Sequence, residues 1–198
     1  PTSGWSDTRG GIVIENHNVS SEYEYYVDSG LVLYTTHEAA ADETFAGASL
    51  VLRGTLAMKG HGNTVTVNRL IAKGGVIGQW YQGYTQKLAG TISIAEGDSL
   101  TLRVTGPESD RRDLTIASAI SGAGDLILSA PNPGQRTIVL LSGDNAEFTG
   151  TIKTPDEFKN PLTLQVTGDF GGTITSLPAA EKVDAIAFNY DGLAGGSG

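Results

Sequence analysis

The stretch Ile120-Ser-Gly-Ala-Gly-Asp-Leu-Ile-Leu128, and after it Thr137-Ile-Val-Leu-Leu-Ser-Gly-Asp-Asn-Ala-Glu-Phe-Thr-Gly-Thr-Ile-Lys153, decides the fold. Each holds short aliphatic runs, and in most such runs of the chain apolar residues alternate with Thr, Ser or a charge. That is the period of a strand with one buried face. Gly, Asn and Asp punctuate the runs within a few residues, too soon for any helix to complete its turns.

Working outward, the same texture fills the chain. Gly11-Ile-Val-Ile-Glu15, Leu31–Tyr34, Ser49–Arg53, Thr55–Met58, Thr64–Val67 and Leu70–Ala72 read as strands on one side of it. Thr91–Ile94, Ser99–Val104, Asp113–Ile116, Gly150–Lys153, Leu162–Val166 and Gly172–Thr175 complete the set. The strongest helical candidate is His37–Thr44, an Ala- and acid-rich piece expected to form one or two turns. An antiparallel β-sandwich uses fewer, longer strands, and it stands as the alternative. Short strands at tight corners predict an all-β, right-handed parallel β-helix. With coils of ~20–25 residues the chain would make roughly eight turns. Leu50, Leu52, Leu56, Met58, Val65, Val67, Ile92, Ile94, Leu100, Leu102, Leu114, Ile116, Leu126, Leu128, Ile138, Leu140, Leu162 and Leu164 are the expected inward positions.

The succession from Ile120 to Lys153 resembles the autotransporter-associated β-strand repeat, whose pattern runs Ile-Ser-Gly-x-Gly-x-Leu-x-Leu, then Leu-Ser-Gly-x-Asn-x-aromatic-Thr-Gly-x-Thr-x-Ile. Asn145 and Phe148 stand at or near the Asn and aromatic places. Phe45–Leu52, Thr64–Ile77 and Leu88–Ile94 have the look of segments that precede such repeats, so the resemblance covers residues 45–153. It implies a surface or secreted β-helical passenger of a large bacterial protein, a class in which some members accompany polysaccharide-degrading modules. After Lys153 the pattern breaks at Thr154-Pro-Asp-Glu-Phe-Lys-Asn-Pro161. The expected organisation is one β-helical domain over 1–194, with 154–194 as a cap and Gly195-Gly-Ser-Gly198 as a linker.

Composition narrows the partners. The 198 residues carry 13 basic and 22 acidic side chains, a net charge of −9. That field repels phosphate backbones and anionic headgroups, so nucleic-acid and membrane-surface partners are not expected. No apolar run approaches the ~20 residues of a membrane helix. The chain has no Cys, which removes disulfides and thiol chemistry without excluding export. The expected setting is secreted or cell-surface, in a bacterial chain with further modules.

Catalysis is not expected. Asp110-Arg-Arg-Asp113 is the best acid–base candidate, and it reads as a solvated corner before a strand. His17, His37 and His61 have no neighbour at metal-ligand spacing. No cofactor is expected. Asp144, Asn145 and Glu147, or Asp156 and Glu157, offer hard oxygens for a structural calcium. Asn145 fits better as a corner residue whose amide serves backbone groups of adjacent coils.

The aromatics carry the functional expectation. Gly78-Gln-Trp-Tyr-Gln-Gly-Tyr84 holds Trp80, Tyr81 and Tyr84, and Tyr23 and Tyr25 alternate with Glu22 and Glu24. Exposed planar rings stack on the C–H faces of sugars, while neighbouring amides and carboxylates bond the hydroxyls. Trp80, Tyr81, Tyr84, Tyr23 and Tyr25 are therefore the expected platform, with Gln79, Gln82 and Gln86 as polar partners. The function this implies is a non-catalytic module that binds a polysaccharide or cell-surface glycan. A structural passenger or adhesin stalk with no ligand is the alternative.

Overall fold

The computed structural model describes residues 19–36, 39–79, 84–104, 113–130, 137–153, 162–167 and 170–174. The chain winds through three strands per circuit. The first circuit is β1 (Glu24–Val27), β2 (Val32–Tyr34) and β3 (Glu43–Thr44). The second is β4 (Ser49–Leu52), β5 (Thr55–Met58) and the first half of β6 (Thr64–Ala72). The rest of β6, then β7 (Gly75–Gln79) and the first half of β8 (Gln86–Ile94), make the third. The end of β8 with β9 (Ser99–Val104) and β10 (Leu114–Ile116) makes the fourth, and β11 (Ala119–Ser121), β12 (Asp125–Ser129) and β13 (Thr137–Leu141) the fifth. β14 (Thr151–Lys153), β15 (Leu162–Val166) and β16 (Thr173–Ile174) continue the stack into the segment expected to be a cap.

Each strand pairs with its equivalents one circuit away, and every such ladder among the described residues is parallel. The result is a three-sided β-solenoid of about 5 turns, with no antiparallel neighbours of the kind a sandwich requires among the described residues. The eight turns expected are for the whole chain, of which 1–18 and 175–198 lie outside the described residues. The call of a strand at Gly11–Glu15 lies outside them too.

Register stacks like on like. One inward column runs Tyr25, Leu50, Leu70, Ile92, Ile120. A second runs Leu33, Leu56, Ile77, Leu102, Leu128. A third runs Val65, Leu88, Ile116, Leu141, Val166. These columns meet along the axis in one continuous core. No coil covers its own apolar face, so each depends on its neighbours for burial.

Corners are set by close approach. β6 and β8 turn from the third face to the first within one long strand, and β6 shifts register between Val67 and Leu70. At the equivalent place in β8, Gly90 has φ +107°, and a Cβ there would lie 1.9 Å from the Val67 carbonyl oxygen. Only glycine fits. Ion pairs join successive coils, Arg53–Asp28 at 3.0 Å and Lys73–Asp98 at 2.7 Å between the first and second faces and Lys153–Asp125 at 2.6 Å on the second. Being largely exposed, each is worth about 0.2–1 kcal/mol.

Two expectations are corrected. Ile138 and Leu140 do not point inward; Val139 and Leu141 do, both fully buried. In the continuous apolar run Thr137–Leu141 periodicity is silent, and pairing with Leu114 and Ile116 decides the parity. The described part of His37–Thr44 forms no helix: Glu43 and Thr44 pair with Val65 and Thr66 as β3. Satisfying that ladder outweighs the weak helical preference of a short Ala-rich piece.

Candidate functional site

The three edges of the prism are unequal. Connections from the first face to the second are short, as at 53–54 and 73–74. Those from the second face to the third are longer: 35–42, 59–63, 80–85, 105–113, 130–136 and 154–161. Among the described residues, 39–42, 59–63 and 84–85 lie at the same edge, because coil follows coil in register. A rigid scaffold that presents successive connections at one edge is the usual arrangement for a binding surface.

At this edge Tyr84 is 40% exposed. Its ring lies flat on that of His61, with centroids 4.6 Å apart and planes 10° from parallel. The two residues belong to successive loops, so the pair bridges two coils. Behind it the chain is tied down. The His61 N–H donates to the Ala39 carbonyl at 2.8 Å. The Lys59 N–H donates to Thr35 Oγ1 at 2.8 Å, and the Lys59 ammonium sits 5.0 Å from the centre of the Tyr34 ring. Glu43 accepts from Thr36 Oγ1 at 2.6 Å, and Asp42 accepts from the Thr64 N–H at 2.7 Å. Rings, carboxylates and hydroxyls therefore share one edge.

The expected site residues separate. Trp80, Tyr81 and Gln82 lie outside the described residues. Gln79 and Gln86 are described and fully buried, so neither offers its amide to a surface ligand. Gln79 is two residues beyond the inward Ile77 and in register with Met58 and Val104. Gln86 is in register with Leu114. Strand parity places both inside. There the Gln79 amide donates to the Tyr84 carbonyl at 2.9 Å, and Gln86 donates to the Gly60 carbonyl. They hold the loops from within.

Tyr23 and Tyr25 do not form a pair on one face. Tyr23 precedes β1 and is exposed, whereas Tyr25 is partly buried against the core, edge-on to Phe45 at 5.6 Å. Its hydroxyl accepts the Ser20 N–H at 2.8 Å. The neighbouring Tyr26, exposed on the outer face, donates its hydroxyl to Glu24, which also accepts from Ser49 Oγ at 2.7 Å. Those two bonds, Tyr26 first, hold the Glu24 carboxyl below the usual carboxylate range. The same bond raises the Tyr26 phenol.

Of the other candidates, Asp110, Arg111, Arg112, His17, His37, Asp156 and Glu157 lie outside the described residues. Asp113 accepts the Ile138 N–H at 2.8 Å and serves the start of β13. Asn145 is fully buried: its Oδ1 accepts from the Ile120 N–H at 3.1 Å and its Nδ2 donates to the Gly143 carbonyl at 2.9 Å. It is the corner residue expected, and its oxygen is committed to the preceding coil rather than turned toward a calcium shared with Asp144 and Glu147. Among the described residues no group of three or more His, Cys, Asp or Glu is placed to hold a metal. None of their helices is long and apolar enough to cross a membrane.

His61 as the partner of Tyr84 is the residue that the sequence reading missed. The signal was spacing: the two stand 23 residues apart, close to the interval between Val65 and Leu88. Comparison with protein families, characterised proteins and solved structures gives no match.

Proposed function

We propose that this chain is a non-catalytic carbohydrate-binding module of a secreted or cell-surface bacterial protein, and that it takes a polysaccharide along its loop-bearing edge. The observation that carries the reading is the exposed Tyr84 ring, stacked on His61, with its main-chain carbonyl held by the Gln79 amide. A ring held flat by a second ring loses little freedom when a pyranose stacks on it, so more of the contact energy survives as affinity. Coils stacked one on the next suit a repeating polymer. The net charge of −9 favours neutral or cationic glycans over sulfated or uronic ones. Trp80 and Tyr81, in the same connection as Tyr84, are the further stacking residues that this reading calls for.

The stalk reading has its own support in the uninterrupted core columns, which suit a spacer as well as a binder. Affinity electrophoresis through gels of neutral and acidic polysaccharides separates the two. Wild type is retarded by at least one neutral polymer, while Tyr84→Ala and Trp80→Ala run freely with unchanged far-UV circular dichroism. Wild type that migrates unretarded in every gel sinks the binding proposal and leaves the stalk.

A further inference from the structure

A cluster of carboxamides sits inside the corner beneath the loop edge. On the third face the inward column that passes through Gln86, Leu114, Val139 and Leu164 is set by pairing of β8, β10, β13 and β15. Because Thr64 pairs with Lys87, Asn63 falls opposite Gln86 in the preceding coil. Two amides thus occupy a column that is otherwise aliphatic. Asn63 is 4% exposed and Gln86 is 0% exposed.

Both touch Gly60. Gln86 Nε2 donates to the Gly60 carbonyl, and a Cβ added at Gly60 would fall 1.6 Å from Asn63 Oδ1. Asn63 Oδ1, Asn63 Nδ2 and Gln86 Oε1 are buried and make no hydrogen bond to protein. Polar atoms in that condition lose their hydration with nothing in return, and a core rarely keeps three together without a small polar guest.

We propose that Asn63 and Gln86 wall an internal hydration site that binds water between the second and third coils. The donor and acceptor count fits one molecule: a water accepts from Asn63 Nδ2 and donates its two hydrogens to Asn63 Oδ1 and Gln86 Oε1. A primary amide and a water form such a paired contact without strain. The site lies under the turn that carries His61, and it holds the 59–63 connection against the next coil. It is independent of whether the edge binds a glycan.

The test is a crystal structure of the wild-type chain at a resolution that shows ordered solvent, with 17O water relaxation dispersion in solution. The expected result is a solvent peak within hydrogen-bond distance of both side chains and a long-residence water in the dispersion. That dispersion contribution is lost in the paired-apolar variant Asn63→Leu/Gln86→Met. Should the double variant not fold, the wild-type map and dispersion decide alone. A wild-type map in which the Asn63 amide bonds directly to protein, with no solvent peak between it and Gln86, overturns the proposal. So does a folded double variant whose dispersion equals that of wild type.

Discussion

Asn145→Ala tests how the coils are joined. The substitution leaves two buried backbone groups without their partner, the Ile120 N–H and the Gly143 carbonyl, which Asn145 now bonds at 3.1 and 2.9 Å. Leaving each unsatisfied costs about 1–3 kcal/mol, so the expected loss is about 2–6 kcal/mol. In a chain of this size that corresponds to a fall in Tm of about 4–24 °C. Urea unfolding followed by circular dichroism gives the free energy, and its slope reports whether the whole stack unfolds together. Asn145→Asp adds a control, since it keeps the acceptor, loses the donor and buries a charge. Its deficit against wild type should be largest at neutral pH. It should shrink as pH falls through the raised pKa of the buried acid, when the protonated oxygen again donates to Gly143. A loss below about 1 kcal/mol in Asn145→Ala refutes the claim that this amide ties one coil to the next.

Other outcomes follow from the same geometry. Gly90→Ala forces a side chain into φ +107° and against the Val67 carbonyl, and should cost more than about 2 kcal/mol by urea titration. Val139→Asp places a charge in the core and should abolish the cooperative transition, whereas Leu140→Lys, on the outer face, should leave the midpoint nearly unchanged. The Glu24 carboxyl is stabilised in the fold by Tyr26 and Ser49, so its contribution is complete above the ordinary carboxylate pKa and disappears as pH falls through the lowered one. Glu24→Gln should therefore differ from wild type most at neutral pH, and the two should converge in acid.

The fold was legible wherever a strand alternates. Leu50 and Leu52, Leu100 and Leu102, and Leu126 and Leu128 fall inward as their spacing predicts. It was not legible in Thr137–Leu141, because five apolar or β-branched residues in a row fit either parity. Only the neighbouring coils choose between them. The site was half legible. Tyr84 stands out by composition, but Gln79 and Gln86 look like surface amides until Ile77 and Leu88, each two residues away, fix their side of the sheet. His61 gives no local signal. It meets Tyr84 only because coils of similar length stack their loops, a property of the whole winding rather than of any one segment.

The central claim, that the edge joining the second and third faces is the binding surface, is tested most directly by nuclear magnetic resonance. A neutral oligosaccharide, cut from a polymer that retards the wild type, is titrated into the 15N-labelled chain. The account predicts amide shifts concentrated at 59–63 and 84–86, with Arg53, Lys73 and Asp98 at the opposite corner unmoved. Shifts centred on that corner, or on Tyr23 and Tyr26, would contradict it.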